Sequence, residues 1–392
     1  MQQKPPILIV GAGVAGLTLA QGLRRHSIAF RVFERWPKNH KSQGHRFRIS
    51  KEGHDALDSV LSPQLRSLLR NTAAEKHRFE PRYIDAIKLD FTTPVPVSTE
   101  TFPLDRTWVR QLLEQGLSDS TEFEKEFLSY TMIDGEVHVK FTDGSVARGQ
   151  LLVGADGIKS RVRKQLQPNR RLLDLERWIM WGRTPLTAEL KRRLPPDLLT
   201  WCMYLDHEAN VQVVVEPVVW ASSISESSGN RLSDVDDYVY FALCTAPFQY
   251  AKALPKTAEE KKAFLQRTTE YWNLALKTVF DAAAHDISAC APVISSKPDV
   301  ELLSAPHTEL VTLLGDAAHA MSPMGGSGAD TAIKNAVDLA ETIAKSGVTR
   351  DALSDFETRL QARAKERIEH SFRGGQKFWQ GREWSEYRNA DA

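Results

Sequence analysis

The chain opens with a short apolar run, a glycine-containing turn and an amphipathic stretch. Residues Ile7–Val10 are all Ile, Leu or Val, which is typical of a buried strand in a parallel sheet. Apolar residues then recur at helical spacing to about Arg24, and Phe30–Phe33 predicts a second strand. This order predicts a βαβ unit, in which a helix connects two parallel strands.

The hydrophobic pattern changes near residue 175. Strand-like runs at residues 201–205, 211–219 and 238–243, accompanied by tryptophans, predict an antiparallel sheet. Because α/β patterning lies on both sides of these runs, we expect the sheet to be an inserted domain.

The α/β pattern returns after residue 308. Residues 310–314 predict a strand, and the apolar positions from about Gly328 to Ser346 share one helical face. Gly347 is a typical helix stop, and the segment beyond Arg350 predicts a charged helical tail.

The composition is that of a globular chain without charge bias. With 51 basic and 50 acidic residues, nothing favours nucleic acid or an anionic membrane as a partner. Three widely spaced cysteines suit a reducing cytoplasm and form no metal-binding spacing, so we expect no metal. The apolar run at residues 7–20 resembles a secretory signal, but its three glycines favour strand, turn and helix. No run reaches the ~18 apolar residues of a membrane span, so we expect no stable membrane insertion.

The first turn has the spacing of a dinucleotide-binding motif. Gly11, Gly13 and Gly16 match G-x-G-x-x-G between a strand and a helix. The first glycine permits the tight turn, the second lets the backbone approach a pyrophosphate, and the third lets helix and strand pack closely. Because a helix N-terminus favours phosphate, we expect Val14 and Ala15 at the same site.

Glu34 ends the second strand, where an acidic side chain can accept hydrogen bonds from a ribose diol. This favours FAD or NAD over NADP as the bound dinucleotide, and the adjacent Arg35 is expected at the same site. These residues do not separate FAD from NAD. A plain NAD dehydrogenase therefore remains an alternative, and such a protein would stay colourless when FAD is added.

Two later segments distinguish these cofactors by resemblance. Residues 152–163 read LVGADGIKSRVR, and residues 314–330 read LGDAAHAMSPMGGSGAD. Together with the glycine turn, and in this order, they resemble the class A flavoprotein monooxygenases, which include p-hydroxybenzoate hydroxylase and the tetracycline-inactivating monooxygenases. In that family the first segment borders the FAD pyrophosphate and is associated with NAD(P)H binding. The second contacts the ribityl chain and the isoalloxazine.

The resemblance implies further FAD-binding residues: Asp156 and Gly157 at the pyrophosphate, Asp316 at the ribityl chain, and Pro323, Gly325, Gly326, Ser327, Gly328 and Ala329 beside the isoalloxazine. Two positions depart from the family, which usually has Gln where this chain has Ser327, and Asn where it has Asp330. We expect both departures to change the hydrogen bonding near the flavin.

Several arginines are assigned by the same resemblance. Residues 105–112 resemble a helix start whose second arginine touches FAD, which is Arg110 here. Residues 44–49 lie where the family has a loop beside the flavin, so Arg48 or Arg46 could neutralise pyrophosphate charge. For each of these arginines the alternative is an ordinary surface charge.

Residues 181–185 resemble a segment of fungal monooxygenases of indole and terpenoid pathways. There an arginine faces the substrate, together with a tyrosine some twenty residues later. The resemblance assigns these catalytic roles to Arg183 and Tyr204, and an arginine held in a salt bridge is the alternative.

The implied fold class is α/β, with a Rossmann-type FAD-binding domain, an inserted antiparallel-sheet substrate domain as in p-hydroxybenzoate hydroxylase, and a C-terminal helix. The expected division follows in chain order: FAD-binding domain, residues 1–80; substrate-domain strands, 81–103; FAD-binding domain, 104–174; substrate domain, 175–300; FAD-binding domain, 301–350; and helical tail, 351–392.

The implied function is an FAD-dependent monooxygenase that takes electrons from NADPH or NADH. Reduced flavin and O2 would form a C4a-hydroperoxide that hydroxylates or epoxidises a hydrophobic aromatic or polycyclic small molecule, as in secondary metabolism. Since no second glycine motif is present, NAD(P)H is expected to bind transiently. We expect a cytoplasmic monomer or homodimer.

Two other functions share this fold. An FAD-dependent halogenase carries W-x-W-x-I-P, which residues 178–182 do not match. A flavin-bound cyclase or isomerase would consume no NADPH when its substrate is present.

Overall fold

The computed structural model describes residues 4–40, 46–75, 81–90, 95, 100–298 and 310–390. Its strands in chain order are β1 (Ile7–Val10), β2 (Phe30–Phe33), β3 (Arg46–Ser50), β4 (Arg82–Asp85), β5 (Thr101–Asp105), β6 (Thr121–Glu122), β7 (Phe127–Ile133), β8 (Glu136–Phe141), β9 (Val146–Gly149), β10 (Leu151–Gly154), β11 (Leu173–Pro185), β12 (Cys202–Asp206), β13 (Val211–Val218), β14 (Tyr238–Thr245), β15 (Ala289–Ser295) and β16 (Val311–Leu313). Its α-helices in chain order are α1 (Val14–Arg25), α2 (Lys51–Val60), α3 (Pro63–Thr72), α4 (Arg106–Glu114), α5 (Arg161–Leu166), α6 (Ala188–Arg193), α7 (Ile224–Ser227), α8 (Ala258–Thr268), α9 (Leu274–Asp281), α10 (Asp316–His319), α11 (Gly328–Ser346) and α12 (Arg350–Trp379).

A parallel sheet with the strand order β16-β10-β1-β2-β6 forms the first layer. Its central strand β1 is buried on both faces, as its uniformly apolar sequence predicts. Helix α11 packs on α1 at close range, since a Cβ on Gly22 would lie 2.6 Å from the Cβ of Ala340. The sheet thus combines β1, from the start of the described chain, with β16, which lies some 300 residues later.

A second sheet has the order β15-β11-β14-β13-β12-β4 and is antiparallel except for the β12–β4 pair. One face is closed by α8 and α9, whose Phe264, Leu276 and Phe280 belong to the core of this unit. The other face, here called the charged face, carries Arg183 of β11 and Glu216 of β13. It is turned toward β3, β5 and the end of α12. Most of this sheet comes from the middle of the chain, where the antiparallel insertion was predicted.

Strands β3 and β5 form a separate antiparallel ribbon between the two sheets. The sequence predicted a loop at residues 44–49 and placed residues 101–103 with the substrate-domain strands. Residues Arg46–Ser50 form a strand where a loop was implied, and this strand pairs with Thr101–Asp105. Residues 44 and 45 lie outside the described part of the chain. The exact boundaries of the six predicted segments stay a proposal.

The α/β fold class with a C-terminal helix is confirmed. Helix α11 begins and ends where the pattern predicted, and Gly347 follows it with a φ of 69°. None of the described helices is both long and apolar enough to cross a bilayer.

Candidate active site

The three motif glycines have different surroundings. Gly11 has a φ of 110°, and a Cβ there would lie 2.3 Å from the carbonyl oxygen of Ala155. A Cβ on Gly16 would lie 2.1 Å from the carbonyl oxygen of Gly11, so neither position accepts a side chain. At Gly13 a Cβ would meet no described atom within 4 Å. Only Gly13 therefore presents bare, accessible backbone, which is what the approach of a pyrophosphate requires.

Glu34 lies beside this turn. Its Oε2 accepts a hydrogen bond from the backbone N–H of Ala12 at 2.8 Å, and its Oε1 accepts one from Trp36 at 3.0 Å. These contacts hold the carboxylate at the carboxyl end of β2, where a ribose diol was predicted. Arg35 is exposed, and its guanidinium lies 5.2 Å from the Trp36 ring centroid.

Asp156 shapes the loop that follows β10. Its carboxylate accepts hydrogen bonds from the Ser160 hydroxyl at 2.5 Å and from the N–H of Arg161 at 2.8 Å. It thus holds the start of α5. Gly157 has a φ of 79° and open space where a Cβ would lie, so this loop can also come close to a ligand.

Arg163 joins the two segments that distinguished FAD from NAD. Its Nη2 donates to the carbonyl oxygen of Ile158 at 2.7 Å, and its Nη1 donates to that of Ala317 at 3.2 Å. Burial lowers the pKa of this arginine, while the carboxylates of Asp156 and Asp316 oppose that shift. The sequence did not assign this role, because hydrogen bonds to backbone carbonyls leave no residue-type signature.

Asp316 presents an accessible carboxylate within the body of the protein. Its neighbours Gly315 and Ala317 are buried, whereas its own side chain is exposed. Desolvation raises the pKa of Asp316, and the positive charges of Arg106 and Arg163 oppose the shift. An accessible carboxylate with buried neighbours suits a polyol such as a ribityl chain.

Arg106 is a candidate that the sequence reasoning missed. It is the first residue of α4, its guanidinium lies 5.8 Å from the Phe47 ring centroid, and its charge acts on Asp316. Its presence in the motif at residues 105–112 was a usable signal, but only the second arginine was assigned.

Arg110 carries an unsatisfied donor. Its Nε donates to Glu114 at 2.9 Å, but its buried Nη2 has no hydrogen-bond partner among the described residues. Burial raises the pKa of Glu114, and the charges of Lys38 and Glu34 also act on that carboxyl. Arg110 therefore lies near the carboxyl end of β2. This free donor, the bare backbone at Gly13 and the accessible Asp316 fit a bound FAD.

The turn before α11 is supported from the far end of the chain. Residues Pro323–Gly325 form a 3-10 turn, Gly326 follows in the left-handed region with a φ of 61°, and Ser327, Gly328 and Ala329 lead into α11. A Cβ on Gly374 of α12 would lie 2.7 Å from the carbonyl oxygen of Met324, so the helix touches the turn through bare backbone.

Asp330, one of the two departures from the family, is held by α2 and its cap. Its Oδ1 accepts from the N–H and the hydroxyl of Ser50 at 2.9 and 2.8 Å, and its Oδ2 pairs with Lys334 at 2.9 Å. It therefore fastens α11 to the start of α2. At the other departure, the buried Ser327 hydroxyl has no described hydrogen-bond partner.

The structure contradicts the role predicted for Arg46 and Arg48. Both guanidinium groups form ion pairs with the carboxylate of Glu216 on β13, and the side chains of Arg46, Arg48 and Glu216 are only 7%, 10% and 2% exposed. The Arg48 Nε also donates to the Thr101 hydroxyl at 2.8 Å. Desolvation lowers the pKa of Arg48 to about 9. These arginines belong to the second sheet's charged face and not to the pyrophosphate site, because β3 directs them toward β13.

Arg183 lies on that charged face. It is opposite Tyr240 of β14, which in turn is opposite Glu216 of β13, so the three side chains share one side of the sheet. Its Nη2 lies 3.4 Å from Oδ2 of Asp105, and its guanidinium lies 4.3 Å from the Tyr238 ring centroid.

Tyr204 does not join Arg183, and its predicted role is wrong. Tyr204 is opposite Val213, which is in line with Leu243 and Met180 across the sheet. Met180 is three residues from Arg183 on the same strand, so their side chains point to opposite faces. Tyr204 is fully buried in the core under α8 and α9.

An apolar row extends beside Arg183 on the charged face. Trp181, Ala242 and Val214 are in register across three strands and are each partly exposed. Residues of the opposite face, such as Phe241 and Leu243, are fully buried. The row is therefore a sheet surface that can receive an apolar ligand.

Comparison with known proteins identifies the family. The chain matches the FAD binding domain family over residues 4–213 and 300–369, and it belongs to this family. The FAD cofactor predicted from the three glycine-rich segments is thereby confirmed.

Curated relatives are fungal flavoproteins. The dual O-methyltransferase/FAD-dependent monooxygenase elcB of Phaeosphaeria nodorum is 30% identical over 88% of this chain, which spans only 41% of that relative. The FAD-dependent monooxygenase adaC of Aspergillus niger is 27% identical over 97% of this chain and 95% of its own length. The resemblance to flavin-dependent monooxygenases is confirmed by these relatives.

Solved structures share the fold. A protein of Photorhabdus luminescens, provisionally described as an FAD-containing monooxygenase, has a TM-score of 0.82 and 26% identity over 96% of this chain and 99% of its own. HpxO of Klebsiella pneumoniae, in complex with FAD and uric acid, has a TM-score of 0.77 and 20% identity over 95% and 89% of the two chains.

Proposed function

We propose that the protein is an FAD-dependent monooxygenase that uses NADPH or NADH and O2 to oxygenate a hydrophobic aromatic or polycyclic small molecule. The observation that supports this proposal most is the charged face of the second sheet, where Arg183 lies beside the apolar row of Trp181, Ala242 and Val214. A planar ligand can pack on that row while a polar oxygen reaches the guanidinium.

When bound, FAD would accept a hydride from NAD(P)H and pass one oxygen atom of O2 to the substrate, while the other leaves as water. The flavin-hydroperoxide chemistry expected from the sequence is part of this proposal. So are hydroxylation or epoxidation as the outcome, the cytoplasmic location and the monomeric or homodimeric state.

The chain's own residues would hold the reactants. Bare backbone at Gly13 and the N-terminus of α1 would face the pyrophosphate, Arg110 would use its free Nη2 at the cofactor, and Asp316 would face the ribityl chain. The apolar row would exclude water, and Arg183 would orient the substrate by donating hydrogen bonds.

A reconstitution experiment tests this function. The FAD-loaded protein is given NADPH, and NADPH oxidation and O2 uptake are measured with planar phenols such as 1-naphthol and hydroxylated anthraquinones. We expect at least one phenol to stimulate both rates and to gain one oxygen atom from isotope-labelled O2.

Other outcomes support the alternatives. A product formed without NADPH consumption would indicate a cyclase or isomerase, and incorporation of chloride would indicate a halogenase. A protein that stays colourless after addition of FAD would contradict the whole proposal.

A further inference from the structure

Asp105 uses its two carboxylate oxygens on two different parts of the protein. Oδ1 accepts hydrogen bonds from the backbone N–H groups of Thr107 and Trp108 at 2.8 and 3.0 Å, which caps helix α4. Oδ2 accepts a hydrogen bond from the Tyr238 hydroxyl at 2.7 Å and lies 3.4 Å from Nη2 of Arg183. The residue is fully buried. One side chain therefore joins the start of α4 to the charged face of the second sheet.

Helix capping does not explain this arrangement. A cap needs a single acceptor oxygen, which Ser, Thr or Asn supplies equally well. Burial of a charged carboxylate costs free energy unless partners compensate it. The second oxygen has those partners in Arg183 and Tyr238, which indicates a role at the sheet face.

Arg183 is held from two directions. The Asp105 carboxylate contacts one edge of its guanidinium, and the Tyr238 ring lies 4.3 Å from its central carbon. Because Tyr238 donates its hydroxyl to Asp105, ring and carboxylate are also fixed to each other. An arginine side chain with four rotatable bonds is thereby restricted to few orientations.

We propose that Asp105 and Tyr238 are positioning residues that fix the orientation of Arg183 toward the substrate. Its other oxygen caps α4, the helix that would carry Arg106 and Arg110 toward FAD. This inference rests on the proposed function. It gives the tyrosine partner of Arg183 as Tyr238 in place of Tyr204.

The test compares Asp105→Asn, Tyr238→Phe and the double variant with Tyr204→Phe as a matched control. Asn can keep the cap with its oxygen, but it then turns an N–H donor toward Arg183 and removes the charge. Tyr238→Phe removes only the hydroxyl. Tyr204→Phe removes an equally buried hydroxyl from the opposite face of the same sheet, away from Asp105 and Arg183.

The readouts use the FAD-loaded protein with NADPH and 1-naphthol. We expect kcat for oxygenation, and the fraction of NADPH oxidation that yields oxygenated product, to fall about tenfold or more in Asp105→Asn and less in Tyr238→Phe. FAD affinity and substrate-free NADPH oxidation should change little. The two substitutions should be non-additive, since both act through Arg183. Tyr204→Phe should match the wild type.

Equal effects of Tyr238→Phe and Tyr204→Phe, or additivity of the first two substitutions, would overturn the inference. If Asp105→Asn fails to fold, Tyr238→Phe carries the same comparison. If the wild type does not oxidise NADPH in response to any phenol, the proposed function has failed. Crystal structures of the FAD-loaded variants then still test the positioning, since an unmoved Arg183 in Tyr238→Phe would contradict it.

Discussion

Gly53 of α2 lies directly against the carboxylate of Asp330 on α11, and a Cβ on Gly53 would lie only 1.9 Å from Oδ1. The same oxygen accepts two hydrogen bonds from Ser50. The acidic residue that departs from the family pattern therefore occupies space that only a glycine at position 53 leaves open, although the two positions are 277 residues apart (330 − 53).

Replacing Gly53 by Ala should therefore destabilise the protein by about 1–3 kcal/mol, the usual cost of overpacking. The added methyl group must displace Asp330 and break its bonds to Ser50. Urea unfolding measures the effect. The double variant Gly53→Ala with Asp330→Ala should recover part of the loss, and a loss that is unchanged in that background would refute the contact as its cause.

Gly13 and Gly16 should respond differently to the same substitution. Gly13→Ala adds a methyl group where no described atom lies, so the fold should tolerate it. A clash of about 1–3 kcal/mol with the pyrophosphate would then weaken FAD binding about 10–100-fold. Flavin fluorescence titration measures the affinity.

Gly16→Ala is the matched comparison on the same turn. Its Cβ would lie 2.1 Å from the Gly11 carbonyl oxygen, so the loss should be one of stability even without FAD. A Gly13→Ala variant that binds FAD as tightly as the wild type would show that the pyrophosphate lies elsewhere.

Glu216→Gln should be strongly destabilising. The substitution leaves the buried guanidinium groups of Arg46 and Arg48 without their shared anion, and breaking a buried ion pair in this way costs about 3–5 kcal/mol. Chemical denaturation monitored by tryptophan fluorescence tests this. Glu114→Gln is a useful control, since its partner Arg110 is more exposed and the loss should be smaller. Equal losses of unfolding free energy in both variants would show that Glu216 stabilises the protein no more than Glu114 does.

Glu357 should make stability depend on pH. It is buried on α12, it accepts a hydrogen bond from the Thr312 hydroxyl at 2.6 Å, and burial raises its pKa to about 8. The folded state therefore holds a proton that the unfolded chain releases at its ordinary pKa of 4.5. The stability that the folded state gains by holding this proton is fully present below pH 4.5 and is lost as the pH rises through 8.

Glu357→Gln should accordingly be more stable than the wild type above pH 8, by on the order of a few kcal/mol, and similar to it near pH 4.5. Gln still offers Thr312 an acceptor. Thermal unfolding of both proteins across this range measures the difference, and parallel pH profiles would mean that Glu357 is charged in the folded state.

Local patterns predicted those parts of the site that depend on neighbours in sequence. The sequence predicted the glycine turn, the start of α11 and its end before Gly347, because turn geometry and helical periodicity depend on residues close together in the chain. Even the joining of distant segments at one cofactor followed from their resemblance to a family.

Long-range pairing accounts for the failures. Tyr204 was assigned to Arg183 by resemblance to a family in which a tyrosine follows some twenty residues later. Strand register, however, decides which face a side chain occupies, and register is set by partners across the sheet. Likewise, the resemblance assigned Arg48 or Arg46 to the pyrophosphate, whereas both pair with Glu216, which lies about 170 positions later on another sheet. No local signal marks that pair.

The contact of Gly374 with the Met324 turn has a consequence for biogenesis. The proposed cofactor site uses backbone from Gly11–Gly16, yet the turn proposed to lie beside the flavin is supported by a helix that ends at residue 379. Nascent chains lacking that helix would expose an incomplete cradle. Cofactor capture should therefore follow the docking of α12, which closes one of the longest loops in the fold, and cellular FAD would act by mass action on molecules that already contain this helix.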